Sequence, residues 1–257
     1  MVRVDLNCDM GESFGNFTIG DDAAILPFVS SVNVACGFHG GDPSVMRATV
    51  CAAAAHRVAI GAHPGLPDLA GFGRREMAVS PQEVYDMVTY QVGALLGVAR
   101  AAGVGIRHVK PHGALYNMAA TRAPLADAIA LAVRDLDPTL LLMGLSGSAL
   151  IDAGRAQGLH TASEVFADRN YQGDGTLVPR TRPDAMVTDV DVAVARAIRM
   201  VQSQHVIASD GSDIRVLTDS ICIHGDAPHA LLFAQRIRSA LTAVGISVLA
   251  LGAPSHN

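Results

Sequence analysis

Seven short apolar runs, at 3–8, 31–36, 58–62, 106–110, 140–145, 161–166 and 219–224, alternate with helical patterns at 43–56, 81–102, 123–136, 148–157, 189–202 and 228–244. A strand followed by a helix returns to the same sheet in parallel through a right-handed crossover, so this order predicts an α/β fold with parallel strands. Pro81 after Ser80, and Gly103 and Gly245 past helical runs, mark helix starts and stops. A doubly wound open sheet would give the same alternation. Four runs, however, break into a histidine beside glycine: ACGFHG at 35–40, IGAHPG at 60–65, VKPHG at 109–113 and ICIHG at 221–225. Chemistry at nearly every strand end, rather than beside one switch point, favours a closed parallel (β/α) barrel of the TIM type. We expect one domain spanning 1–257, with no linker, internal repeat or low-complexity tract.

Half of the residues are apolar, which supplies a large core, and tryptophan is absent. A formal charge of -5 leaves no basic footprint, so nucleic acid is not an expected partner. The first residues, VRVDLNCDMGE, carry Asp5 and no apolar h-region, so no secretory signal is expected. No uncharged apolar stretch is long enough to cross a bilayer, and a cytoplasmic location is expected. Cys8, Cys36, Cys51 and Cys222 form no C-x-x-C pair and read as small buried thiols. Cys36 and Cys222 stand just before histidines, so a catalytic thiol stays open there without an assignable base.

Asp5, Asn7 and Asp9 alternate along the first strand and so share one face. Asp9, nearest the carboxyl end, is a candidate base or ligand; Asp5 is a deeper structural acceptor. Glu12 can reach the same mouth. In HVKPHGALYN, Lys110 and His112 share an orientation, and Pro111 limits the regular ladder. Lys110 reads as an anion contact held charged by interior acids, with Schiff-base chemistry an alternative. His108, one step deeper, reads as a core histidine. His39, His63 and His224 complete the strand-end set, with Asp226 beside the last. Arg74 and Arg75 are candidate grips for a substrate carboxylate. His56, His160, His205, His229 and His256 lack strand-end context and read as surface or capping residues.

The segment 167–188, with Asp168, Arg169, Tyr171, Arg180 and Arg182, is a candidate lid. Ser146, in GLSGS at 144–148, misses the nucleophile-elbow spacing by one residue and reads as a helix cap. No G-x-x-x-x-G-K-[ST] loop occurs. Asp9 with His39, His63 or His224 would make a carboxylate–histidine set able to hold a divalent ion. No H-E-x-x-H or comparable spacing accompanies it, and the site is read without a metal.

The strings DLNCDMGE (5–12), NVACGFHGGDP (33–43), GAHPGLPDLAGFGRRE (61–76), HVKPHGALYN (108–117), EVFADRNY (164–171) and CIHGD (222–226) closely resemble the LamB/YcsF family, in order and from near residue 3 to near 250. The resemblance implies a seven-stranded barrel similar to the glycoside hydrolase/deacetylase group. It implies ATP-dependent opening of 5-oxoproline to L-glutamate by a 5-oxoprolinase, with ATP as co-substrate and two partner subunits, B and C; a homo-oligomer is also open. On that view Asp9, His39, His63 or His224 activates water, while Lys110 and His112 stabilise charge and protonate the ring nitrogen. Arg74, Arg75 or Arg169 would hold the substrate carboxylate, with Asn7, Glu12, Asn33, Tyr116 and Asp168 as further substrate contacts. The rival readings are a metal-dependent deacetylase and a non-catalytic ligand-binding subunit.

Overall fold

The computed structural model of the chain describes residues 2–226 and 229–252. Seven parallel strands close on themselves: β1 (Arg3–Met10), β2 (Ser31–Ala35), β3 (Ala59–His63), β4 (His108–Val109), β5 (Leu141–Leu145), β6 (Thr161–Phe166) and, across a further hairpin, β9 (Ser220–Ile223). The barrel seals where β9 pairs with β1, Asp5 opposite Ser220 and Cys8 opposite Ile223. The open-sheet alternative is thereby removed. Pairing at β4 reaches beyond its two strand residues: Arg107 N donates to Ile60 O at 2.7 Å, Lys110 N to Ala62 O at 2.9 Å and His112 N to Pro64 O at 2.8 Å.

Helices cover the outside: α1 (Asp22–Ile25), α2 (Pro43–Ala55), α3 (Pro81–Ala101), α4 (Gly113–Thr121), α5 (Ala123–Leu136), α6 (Ala149–Ala156), α7 (Val190–Ser203) and α8 (Ala230–Ala243). Asp42 caps α2 by accepting from Ser44 N and Val45 N, and Ser80 with Glu83 forms a reciprocal capping box on α3. Apolar faces of these helices, including Val84, Val88, Val92 and Leu95 of α3, bury against the strands. Among the described residues no helix is long and apolar enough to cross a membrane.

The helix α4 is not foreshadowed by the apolar pattern. It starts on Gly113, whose φ of 54° and 2.6 Å approach of an ideal Cβ to Gly73 O both require glycine. Also unforeseen are an antiparallel hairpin, β7 (His205–Ile207) with β8 (Asp213–Arg215), and β10 (Ser247–Val248) beside the start of β1. Ser146 is not a cap: α6 is preceded by Ser148, and Ser146 Oγ accepts from Leu217 N at 2.7 Å. The expected start of the last helix at Pro228 and the reading of His256 lie outside the described residues.

The barrel interior is unusually polar. Asp5 sits at its floor, accepting from Ser30, Ser31 and Ser220 hydroxyls at 2.7, 2.8 and 2.5 Å. Burial raises its carboxyl, and the three hydroxyls work against that rise. Above it Asn7, Asn33, His108, Lys110 and Glu164 are all buried. His108 Nε2 shares a hydrogen bond with Asn33 Oδ1 at 2.7 Å, and burial holds its pKa down at about 3. It is a core histidine. Gly61, opposite it across the ladder, is what makes room: a Cβ there would come within 2.1 Å of His108 Nε2.

Candidate active site

The carboxyl ends of the strands open into a cleft of about 490 Å³ lined by Asp9, His63, Lys110, His112 and His224, with Arg74 and Arg180 among its walls. Residues from four strand ends thus meet at one mouth, as parallel barrels place their chemistry.

Lys110 and Asp9 form its charged base. The ammonium lies 2.8 Å from Asp9 Oδ1, 3.0 Å from Glu164 Oε1 and 3.0 Å from Cys222 Sγ, with Asn7 Oδ1 at 3.3 Å. Burial disfavours its charge, but Asp9, Cys222 and Glu164 outweigh burial and hold it well above the ordinary lysine range. Its three N–H groups are therefore spent on protein acceptors, and it serves as a counter-charge rather than as a Schiff-base amine. For Asp9 burial also opposes ionisation, and His63 and Lys110 together hold the carboxyl well below its usual range.

His63 and His112 meet at right angles beside Asp9, their ring planes 87° apart. His63 Nδ1 donates to Lys110 O at 2.7 Å and its Nε2 lies 3.2 Å from Asp9 Oδ2. His112 Nε2 donates to Phe72 O at 2.8 Å, and its Nδ1 faces His63 Nε2 at 3.0 Å. Burial, then the neighbouring His39, depresses His112 well below the ordinary histidine value.

Beside Asp9, at the end of the adjacent strand β9, His224 Nδ1 and Asp168 Oδ2 are 2.7 Å apart, and the ring stacks on Phe166. The Asp168 carboxyl, despite burial, is held below its usual range by His224. This contact orients the ring and turns Nε2 toward the cleft, the arrangement of a carboxylate-steered general base. One His224 nitrogen, Cys222 Sγ and an Asp9 oxygen lie within 4.8 Å of one another.

Several residues singled out in the sequence do not line the cleft or are committed to protein partners. His39 is fully buried behind His112, stacked at 3.7 Å and 5°, and cannot reach a substrate. Glu12 is buried beside it, Oε1 3.3 Å from His39 Nε2. Asn7 and Asn33 belong to the interior network, Asn33 Nδ2 donating to Asn7 at 2.7 Å and to Asp9 at 2.8 Å. Arg75 turns outward onto Asp68. Asp168 serves His224 rather than a substrate. Arg169, though on the cleft wall, spends its guanidinium on the carbonyls of Val178 at 2.7 Å and Ala185 at 3.4 Å.

These bonds, with fully buried Tyr171, whose hydroxyl accepts from Phe166 N at 2.8 Å, anchor the segment 167–188 against the barrel, while 173–174 and 179–183 stay exposed. Tyr116 lines the cleft but donates to Glu164 Oε2 at 2.7 Å. Glu164 escapes a sequence-based assignment, although a carboxylate inside the strand TASEVF is a signal. The thiol reading fails: burial pushes Cys36 up to about 12, and Cys222 is raised by burial and then by Asp9.

A closed seven-stranded β/α barrel with an ionised interior and histidines converging at the carboxyl ends of its strands defines the class. Within it, the chain belongs to the LamB/YcsF family, whose model matches residues 4–256. The chain is 62% identical over 247 residues to the A subunit of 5-oxoprolinase from Bordetella pertussis, covering 96% of this chain and 98% of that protein. It is 58% identical over 251 residues to the A subunit of 5-oxoprolinase from Bacillus subtilis, covering 98% of each. The crystal structure of the lactam utilization protein from Thermus thermophilus matches with a TM-score of 0.91 at 49% identity, covering 97% of this chain and 100% of that one.

Proposed function

We propose that the chain is the lactam-opening A subunit of an ATP-dependent 5-oxoprolinase, converting 5-oxo-L-proline to L-glutamate with two partner subunits. The observation that carries this reading is the His224–Asp168 dyad facing the cleft beside Asp9, in a chain so similar to named 5-oxoprolinase subunits. His224 Nε2 takes a proton from water as its oxygen adds to the lactam carbon, and returns it to the ring nitrogen as the C–N bond breaks. Arg180, whose guanidinium reaches Met186 Sδ at 3.5 Å, and Arg74, held by Asp226 at 2.8 Å, form the cationic rim for the substrate carboxylate.

Amide resonance makes the ring carbon a poor electrophile, which accounts for the ATP requirement. Phosphorylation of the lactam oxygen gives an imidate carbon that accepts water. Breakage of the C–N bond then leaves an acyl phosphate, hydrolysed to the side-chain carboxylate and inorganic phosphate. With no P-loop in this sequence, the phosphoryl transfer is assigned to the assembled complex.

The test is reconstitution: the chain is mixed with candidate B and C subunits and glutamate release from 5-oxoproline is followed with and without ATP. ATP-dependent release that needs all components supports the reading. Release that persists when this chain is left out overturns it.

A further inference from the structure

We propose that His63, His112, Asp9 and Glu12 form a binding site for one divalent transition-metal ion at the inner wall of the cleft. The ring protons are fixed by their backbone partners. A carbonyl oxygen only accepts, so the 2.7 Å contact of His63 Nδ1 with Lys110 O places the N–H on Nδ1 and the lone pair on Nε2. Likewise the 2.8 Å contact of His112 Nε2 with Phe72 O leaves the lone pair on Nδ1. These two lone-pair nitrogens face each other at 3.0 Å. Asp9 Oδ2 lies 3.2 Å from the first and Glu12 Oε1 lies 3.6 Å from the second. Ligand atoms of Glu12, His63 and His112 lie within 4.8 Å of one another, with Asp9 Oδ2 adjoining through His63, and with the rings neutral and the carboxyls ionised all four are acceptors. A divalent cation would satisfy them together.

The spacings suit a metal. Ligand atoms about 2.1 Å from an ion stand about 3.0 Å apart at right angles and about 3.4 Å apart in a tetrahedron, close to the separations seen. The perpendicular rings of His63 and His112 allow one ion to lie in both planes. His39 is different: stacked parallel to His112 at 3.7 Å, it cannot share an in-plane ion with that ring. It instead faces Glu12, as an outer partner that steers a ligand. The backbone carbonyls on the far nitrogens of His63 and His112 are the outer contacts that metal-bound imidazoles usually make.

Independently, Glu12 Oε1 is buried with no hydrogen-bond partner. Burial, then the negative charges of Asp9 and Asp226, hold this carboxyl well above its usual range, and a bound ion would both offset that and satisfy the oxygen. The neighbouring trio of Asp9, Cys222 and His224 is excluded by the Lys110 ammonium, already 2.8 Å from Asp9 and 3.0 Å from Cys222. Two imidazoles with two carboxylates select a first-row ion of the zinc, cobalt or manganese type over calcium.

The chemical use of the ion, polarising the lactam carbonyl, rests on the hydrolytic reading of this cleft; the binding itself does not. The experiment uses the full chain, stripped with chelator and titrated separately with Zn²⁺, Co²⁺ and Mn²⁺. Bound ion is read by elemental analysis and calorimetry, and Co²⁺ coordination by its visible absorption. About one ion per chain is expected, with the dissociation constant raised at least ~10-fold in His63→Ala, His112→Ala and the near-isosteric Glu12→Gln, each checked for folding by circular dichroism. His205→Ala, on the outer hairpin, should bind as the parent does.

Failure of folded parent chain to take up any of the three ions overturns the site. So does uptake indifferent to the His63 and His112 substitutions, or nitrogen NMR showing a doubly protonated ring in the pair in metal-supplied protein. Lactam opening by a chain that binds no metal would sink this inference and spare the proposed reaction; metal uptake without lactam opening would do the reverse.

Discussion

His224 and Asp168 are in direct contact, and on the proposed reading their substitutions separate chemistry from positioning. His224→Ala should lower kcat for glutamate release in the reconstituted complex by about 10²–10⁴-fold, the usual worth of a general base. Asp168→Asn keeps the shape of the 2.7 Å contact but removes the charge. It should lower kcat and shift the acidic limb of the pH profile while leaving KM nearly unchanged, measured across pH 5–9 in the same assay; an unmoved profile would make Asp168 merely structural. His108 makes a stability prediction. Its folded pKa of about 3 lies below its ordinary 6.5, so the unfolded chain binds the proton first as pH falls. The stabilisation is fully present above about pH 6.5 and is lost progressively toward pH 3. His108→Gln, which can still bond Asn33, should lose less stability than the parent between pH 7 and 4.5, by on the order of 2–3 kcal/mol, as read from thermal melts at both pH values.

At the scale of single elements, β3 and β4 fit only because one position lacks a side chain. Gly61→Ala would force a Cβ to 2.1 Å from His108 Nε2 and should destabilise by about 3 kcal/mol or more, with a lowered denaturation midpoint in urea. Ser80→Ala removes half of the capping box of α3 and should cost about 1 kcal/mol by the same measurement. The seven barrel strands are legible because buried parallel strands are written as largely apolar runs such as LLMGL. The helix α4 is not legible: GALYNMAAT follows directly on a strand-end histidine, opens on a glycine and is too short for its periodicity to stand out. The hairpin of β7 and β8 escapes for a related reason, since three-residue strands bearing His205, Asp213 and Arg215 carry no apolar alternation.

At the scale of the whole molecule, closure of the barrel is what joins side chains as distant in sequence as Asp9 and His224. The strand-end histidine pattern is enough to expect that convergence, because glycine beside a polar residue after an apolar run marks the rim of a parallel sheet. The division of labour is not legible. Nothing in the linear order says that His39 stacks behind His112, that Arg75 turns away to Asp68, or that Asp168 belongs to His224, since each depends on loop paths that packing decides. The seam itself is split: β1 meets β10 at Arg3 and Val4, and β9 from Asp5 to Cys8. β1, made before the other barrel strands, therefore gains its second barrel neighbour only when β9 arrives, which also completes β6, and sealing must await synthesis of residues 220–223. Until then its bare edge is a template for strands of other nascent chains, which makes timely protection during translation a requirement of this topology.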